Sequence, residues 1–167
     1  MATVTQVFEA RSADLRTSGF PQLVRHNGTN IPVAGYAFDA ATEEAIFFDF
    51  RATRYGSGNL TVDVDWYSTA ATSGAVMWGA QIAAITPTTD TQDVETDALA
   101  TVATTTTSHP GTTTQRLLRT SITVSSLDSL AADDDVRIRI SRVAANAADT
   151  MTGDVIATRV TVSYSDT

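Results

Sequence analysis

Apolar and polar residues alternate one for one along several stretches of the chain. Leu60, Val62, Val64 and Trp66 interleave with Thr61, Asp63, Asp65 and Tyr67, the period of a strand with one face on the core and one in water. The pattern returns where Val136, Ile138 and Ile140 alternate with Arg137, Arg139 and Ser141. It returns again where Ile156, Val160, Val162 and Tyr164 stand against Arg159, Thr161 and Ser163. A helix would scatter these charges around the core. Further strands are expected at residues 4–8, 33–38, 45–51, 75–85, 99–105 and 116–124, the last with Leu118, Ile122 and Val124 on one face. That makes about nine strands.

Gly56-Ser57-Gly58-Asn59 and Ala71-Thr72-Ser73-Gly74 supply residues that tolerate positive φ between alternating runs, as hairpins require. Strands near residues 45, 60 and 75 are therefore expected to form a meander. Residues 146–153 play the same part between the last two strands, with Met151 tucked back onto the sheet. Only one segment reads as helical, a single turn capped by Ser125 or Ser126, running through Ser129 and Leu130 and ended by Asp133-Asp134-Asp135. Many short strands without alternating helices predict an all-β, antiparallel sandwich, jelly-roll-like with eight or nine strands; an immunoglobulin-like sandwich is the alternative. Residues 1–43 are expected to be N-terminal strands or an arm, and residues 44–167 the sandwich body. Thirteen of residues 86–114 are Thr and all of that segment's charged carboxylates are unopposed, which predicts a long loop.

Composition strengthens the strand reading, because Thr, Val and Ile together number 52 of 167 residues and β-branched side chains favour the pleated surface. Cysteine is absent, which excludes disulfides, thiol catalysis and Cys-ligated zinc. The net charge is -8, and every basic residue is Arg. Nucleic-acid and anionic-membrane partners are not expected, since both draw affinity from concentrated positive charge. Residues 1–8 show neither the basic nor the apolar region of an export signal.

Candidate chemistry is sparse. Two histidines, His26 and His109, each stand in turn sequence with no nucleophile elbow nearby, so no triad is supported. Asp63 with Asp65, and Asp133 to Asp135, are the places where a hard cation could find oxygen ligands. Asp63 and Asp65 are equally suited to pair with Arg51 or Arg54 across a hairpin. Arg137, Arg139 and Arg142 form a cationic stripe, and Arg116 with Arg119 a second, suited either to cross-strand pairing or to salt bridges between subunits. Trp66, Tyr67 and Trp78 are candidates for a sugar-stacking platform, although Trp66 continues the apolar face of its strand. Asn27-Gly28-Thr29 and Asn59-Leu60-Thr61 match the glycosylation triplet, as Thr abundance alone would produce. No catalytic, cofactor-binding or metal residue is assigned, and no cofactor is expected.

The succession Gly58-Asn59-Leu60-Thr61-Val62 with Trp66, then Ser73-Gly74-Ala75-Val76-Met77-Trp78, then Leu127 to Leu130, Asp135-Val136-Arg137-Ile138-Arg139-Ile140 with Arg142, and Asp149-Thr150-Met151-Thr152-Gly153-Asp154 resembles β-sandwich structural proteins of tailed bacteriophages. The likeness spans roughly residues 44 to 164 and carries no active site. It implies a non-enzymatic virion component, a capsid decoration (cement) protein that binds the major capsid protein on the outer shell as a homotrimer. Residues 1–43 and the loop 86–114 would then make the shell and subunit contacts. The alternative is a tail or head-fibre module that binds a receptor or carbohydrate.

Overall fold

The computed structural model describes residues 2–70 and 72–166. Met1, Thr167 and Ala71, the first residue of one expected turn, lie outside them. Among the described residues there are ten antiparallel strands: β1 (Thr3–Glu9), β2 (Gln22–Asn27), β3 (Pro32–Phe38), β4 (Glu44–Arg51), β5 (Leu60–Ser68), β6 (Ala75–Ile85), β7 (Ala103–Ser108), β8 (Leu118–Val124), β9 (Asp135–Arg142) and β10 (Val155–Ser165). They form a six-stranded sheet, ordered β2-β3-β10-β5-β8 with β1 also beside β10, and a four-stranded sheet, ordered β4-β9-β6-β7.

From β3 onward the pairing has one rule. β3 pairs with β10, β4 with β9, β5 with β8 and β6 with β7, so the first four strands meet the last four in reverse order. A long antiparallel ribbon rolled into two sheets has this pattern, and the fold is a jelly roll rather than the immunoglobulin-like alternative. Rolling sends successive strands to opposite sheets, which corrects the expected meander: β4 and β6 lie in one sheet and β5 in the other. The turns at 56–59 and 72–74 cross between the sheets instead of closing hairpins, as does 146–153. The turn chemistry at these places is real, with Gly58 and Gly74 at φ 84° and 98°. Positive φ reverses the chain without saying which sheet it enters next.

The core is aliphatic and aromatic. Val62, Val64 and Trp66 of β5, Val160 and Val162 of β10, and Ile122 and Val124 of β8 meet Ile46, Trp78, Ile82, Ile138 and Ile140 of the other sheet, all with 0% exposure. Phe38 meets Trp78 edge to face at 4.9 Å between ring centroids. Met151 is 2% exposed and joins this core, as the sequence suggested.

Three local expectations need correcting. Residues 127–130 make no helical turn: Asp128 and Ser129 are both left-handed, at φ 51° and 59°, and the Asp128 carboxylate accepts the backbone N–H of Ala84 at 2.9 Å. A 3-10 turn occurs instead at Ala10–Ser12. Nor is 86–114 wholly loop. Its strand is β7, and residues 86–102 are tied down, with Ala100 N–H donating to the Ile82 carbonyl and Gln81 Nε2 to the Ala100 carbonyl. Asp90, Asp93 and Asp97 accept nearby backbone N–H groups. These unopposed carboxylates thus act as turn acceptors.

One irregularity shapes the outer face of the six-stranded sheet. The β10 register shifts between Ala157 and Arg159, where Thr158 is the extra residue of a bulge. Gly35 of β3 lies against the bend, and a Cβ there would come within 2.2 Å of the Ala157 carbonyl oxygen and 2.8 Å of Ile156 Cγ2. Only glycine lets β3 close on β10 at this point.

Candidate functional site

A groove of about 540 Å³ lies on the outer face of the six-stranded sheet. Its floor comes from three neighbouring strands through Val33 of β3, Thr158 of the β10 bulge and Tyr67 of β5. One wall is the end of the β2–β3 hairpin, with His26, Asn27 and Ile31. Gln115 and Leu117 form the other, just before β8. β2 and β8 are the two ends of the sheet order, so the groove is walled at both edges of the sheet. Ile31 and Leu117 are 70% and 61% exposed, large apolar side chains that the fold leaves in water on facing walls.

Tyr67 is outward because Trp66 is inward. Yet its side chain is almost wholly covered, at 7% exposure, and its hydroxyl is buried with no hydrogen-bond partner. Burial pushes the Tyr67 pKa up, because the phenolate would lose its water. The His26 ring meets the Tyr67 ring edge-on at 6.4 Å. Among the described residues, no Asp, Glu or Arg lines the groove. The charges begin two residues along β5. There Asp65 holds Arg119 of β8 through a bidentate pair, 2.6 Å to Nε and 3.0 Å to Nη2, and the pair raises the Arg119 pKa.

The three aromatics singled out in the sequence do not form a platform. Trp66 and Trp78 are completely buried in the core. Trp66 Nε1 donates to Thr120 Oγ1 at 2.9 Å, which donates to Thr107 Oγ1 at 2.8 Å. Tyr67 alone reaches the groove. His26 is exposed there, but His109 is not the exposed turn residue its neighbours imply. It is 6% exposed and its Nδ1 lies 3.0 Å from the Thr72 carbonyl and 3.1 Å from Gly111 N–H, closing one end of the sandwich. One tautomer satisfies only one of these two contacts.

The carboxylates weighed as metal ligands are turned to different partners. Asp63 accepts from Ser121 and lies near Arg119, and Asp65 holds Arg119. Arg51 reaches Asp133, Arg54 reaches Asp166, and the buried Asp134 accepts from Thr86 and Ala131 N–H. The expected pairing of Asp63 and Asp65 with Arg51 or Arg54 is thereby replaced. Among the described residues, no group of three or more His, Asp or Glu is placed to hold a metal ion.

The cationic stripes dissolve in the same way. Arg137 pairs with Asp49 and Asp135, and Arg139 with Glu43 while donating to Gln81. Arg116 donates to Thr112. Arg142 is fully buried, on the same face as Ile138 and Ile140. Among the described residues, no helix is long and apolar enough to cross a membrane.

Comparison with solved structures finds sandwiches of distant sequence. The C-terminal CBM6 of LamC, a marine laminarinase from Zobellia galactanivorans, is 12% identical, with a TM-score of 0.49 over 95% of this chain and 98% of that one. A non-crystalline cellulose-specific carbohydrate-binding module, CBM28, is 14% identical, with a TM-score of 0.48 over 91% and 85%. A structure of the promiscuous carbohydrate-binding modules from the β-sandwich superfamily gives 10% and 0.42, over 96% of this chain and 54% of that one. No family model and no curated protein matches the chain.

Sequence reasoning missed most of the groove. Its residues come from four segments, near 26–33, 67–69, 115–117 and 158, that only the rolled topology brings together. Two signals were present. Leu117 and Leu118 are adjacent, so in a strand one of them must face out, and Ile31 stands apolar in an otherwise polar turn.

Proposed function

We propose that the protein is a non-catalytic binding module that seats a carbohydrate in the groove over Tyr67. The observation that carries this is the groove itself, about 540 Å³ with no Asp, Glu or Arg in its lining, over Tyr67 and between the exposed apolar side chains of Ile31 and Leu117. The rest of the lining suits a sugar. Ile31, Val33 and Leu117 offer apolar surface to C–H faces, and Asn27, Thr69, Gln115 and Thr158 offer neutral donors and acceptors for hydroxyls.

The test is affinity electrophoresis through gels containing soluble polysaccharides, followed by a glycan array. Retardation of the wild type by at least one polysaccharide, abolished by Tyr67→Ala, is expected. Mobility unaffected by every polysaccharide would overturn the proposal. A decoration role on a virus shell is carried by the sequence resemblance alone, and mass spectrometry of purified particles of the source virus tests it.

A further inference from the structure

The β2–β3 hairpin reverses through Gly28, Thr29, Asn30 and Ile31, between the paired ends Asn27 and Pro32. Residues 27–30 are all exposed. Asn27 borders two hollows, the groove and a smaller one of about 180 Å³ on the other side of the ribbon, so water reaches it from both faces.

Of the four asparagines in the chain, Asn27 alone is followed by glycine. Gly28 is required there by space: a Cβ would come within 2.7 Å of the Ile31 carbonyl oxygen, and the turn closes only around a bare α-carbon. The same bareness leaves the Gly28 nitrogen uncrowded. Among the described residues, neither the Gly28 N–H nor the Asn27 side-chain amide is held by a hydrogen bond to the protein. The other three asparagines differ. Asn30 precedes Ile31, whose β-branch crowds its own nitrogen, and Asn59 precedes Leu60, the buried first residue of β5. The Asn146 amide oxygen accepts the Ala148 N–H at 2.9 Å.

We infer that Asn27 is a site of spontaneous chemical modification, which turns the uncharged wall of the groove into one that carries a carboxylate. The Gly28 nitrogen gives its proton to solvent base and attacks Asn27 Cγ. The N–Cγ bond forms, the Cγ–Nδ2 bond breaks, and Nδ2 takes a proton from water and leaves as ammonia. The product is a five-membered cyclic imide, which water opens while the Gly28 nitrogen regains its proton. Attack of that water at Cγ leaves aspartate at position 27, and attack at the backbone carbonyl carbon leaves isoaspartate, with the main chain now running through the side chain. No electrons are transferred, and water is the only co-reactant. Either product adds one negative charge and removes the Nδ2 donor from the lining. The modification needs no ligand; only its effect on a sugar rests on the carbohydrate reading of the groove.

The experiment keeps the folded protein in mildly alkaline buffer, samples it over time and maps its peptides by mass spectrometry with electron-transfer fragmentation, which distinguishes aspartate from isoaspartate. Asn27 is expected to convert several-fold faster than Asn30, Asn59 or Asn146, to yield both products, and to react faster as the pH is raised. Asn27→Gln, whose closure would need a six-membered ring, should stay intact over the same time. Conversion of Asn27 no faster than of the other three, or no conversion at all, overturns the inference. The more acidic form, separated by ion exchange, is then compared with fresh protein on a neutral polysaccharide that retards the wild type. Weaker retardation is the expected result, and equal retardation overturns the effect on binding. Fresh protein retarded by no polysaccharide overturns the carbohydrate reading and leaves the modification to stand on the peptide map.

Discussion

Arg142 and Asp149 form a fully buried, bidentate ion pair at one end of the jelly roll, each side chain 0% exposed. Asp149 accepts from Nε at 3.0 Å and from Nη2 at 2.8 Å. The remaining guanidinium protons go to the carbonyls of Phe38, Gly153 and Met151, so all five donors are used. Asp149 also accepts the backbone N–H of Met77 at 3.0 Å. The pair thus ties the crossing loop 146–153 to both sheets. Breaking a buried pair from one side strands the other charge, at a cost of about 3–5 kcal/mol. Arg142→Met and Asp149→Leu are each expected to lose stability in that range, measured by urea unfolding. A loss below about 1 kcal/mol for either would show the pair to be solvated.

Tyr67→Phe tests the covered hydroxyl of Tyr67. Removing a buried hydroxyl that has no partner should leave stability unchanged or raise it by about 1 kcal/mol, and since the hydroxyl is covered it should leave carbohydrate binding unchanged. A clear drop in melting temperature for Tyr67→Phe would mean that the hydroxyl serves the fold.

The Trp66, Thr120 and Thr107 chain makes the opposite prediction. Thr120→Val leaves the Trp66 indole N–H buried without an acceptor and should cost about 1–3 kcal/mol. Thr120→Ser, which keeps the oxygen and loses a methyl, should cost about 1 kcal/mol. Equal losses for the two variants would remove the hydrogen bond from the account.

Glu44 gives a pH signature. Its Oε2 accepts the Asp39 N–H at 2.7 Å, yet burial pushes its pKa up, and the nearby charges of Asp39 and Asp154 act in the same direction. The folded state therefore binds this proton more tightly than the unfolded chain. The resulting stability is present below the ordinary carboxylate range and is lost as pH rises through the raised value. Glu44→Gln should gain on the wild type across that window. Melting temperatures of the two proteins from pH 3 to pH 7 check this, and parallel curves would contradict it.

What the letters disclosed follows from what is local. Period-2 alternation placed β5, β9 and β10 and put Trp66 inside. It failed at β2, where Gln22–Asn27 is exposed at every position except Val24, because an edge strand lying beyond the opposite sheet has no core face to leave a pattern. It was available at Arg142, two residues past Ile140 on the same inward face, but a charge is ordinarily assigned to the surface unless its partner is known. That partner, Asp149, lies across a loop. The groove was the least legible part. Its floor needs the bulge at Thr158, the bare backbone of Gly35 and the apposition of β3, β10 and β5, relationships that exist only after the ribbon is rolled.

The most direct measurement is a backbone amide NMR titration of the wild-type protein with the neutral oligosaccharide that scores highest on the array. Shifts concentrated at Asn27, Val33, Tyr67, Leu117 and Thr158, and absent in Tyr67→Ala, are the expected result. Saturable shifts confined to the outer face of the β4-β9-β6-β7 sheet, or none with any sugar, would contradict the placement of the ligand against Tyr67.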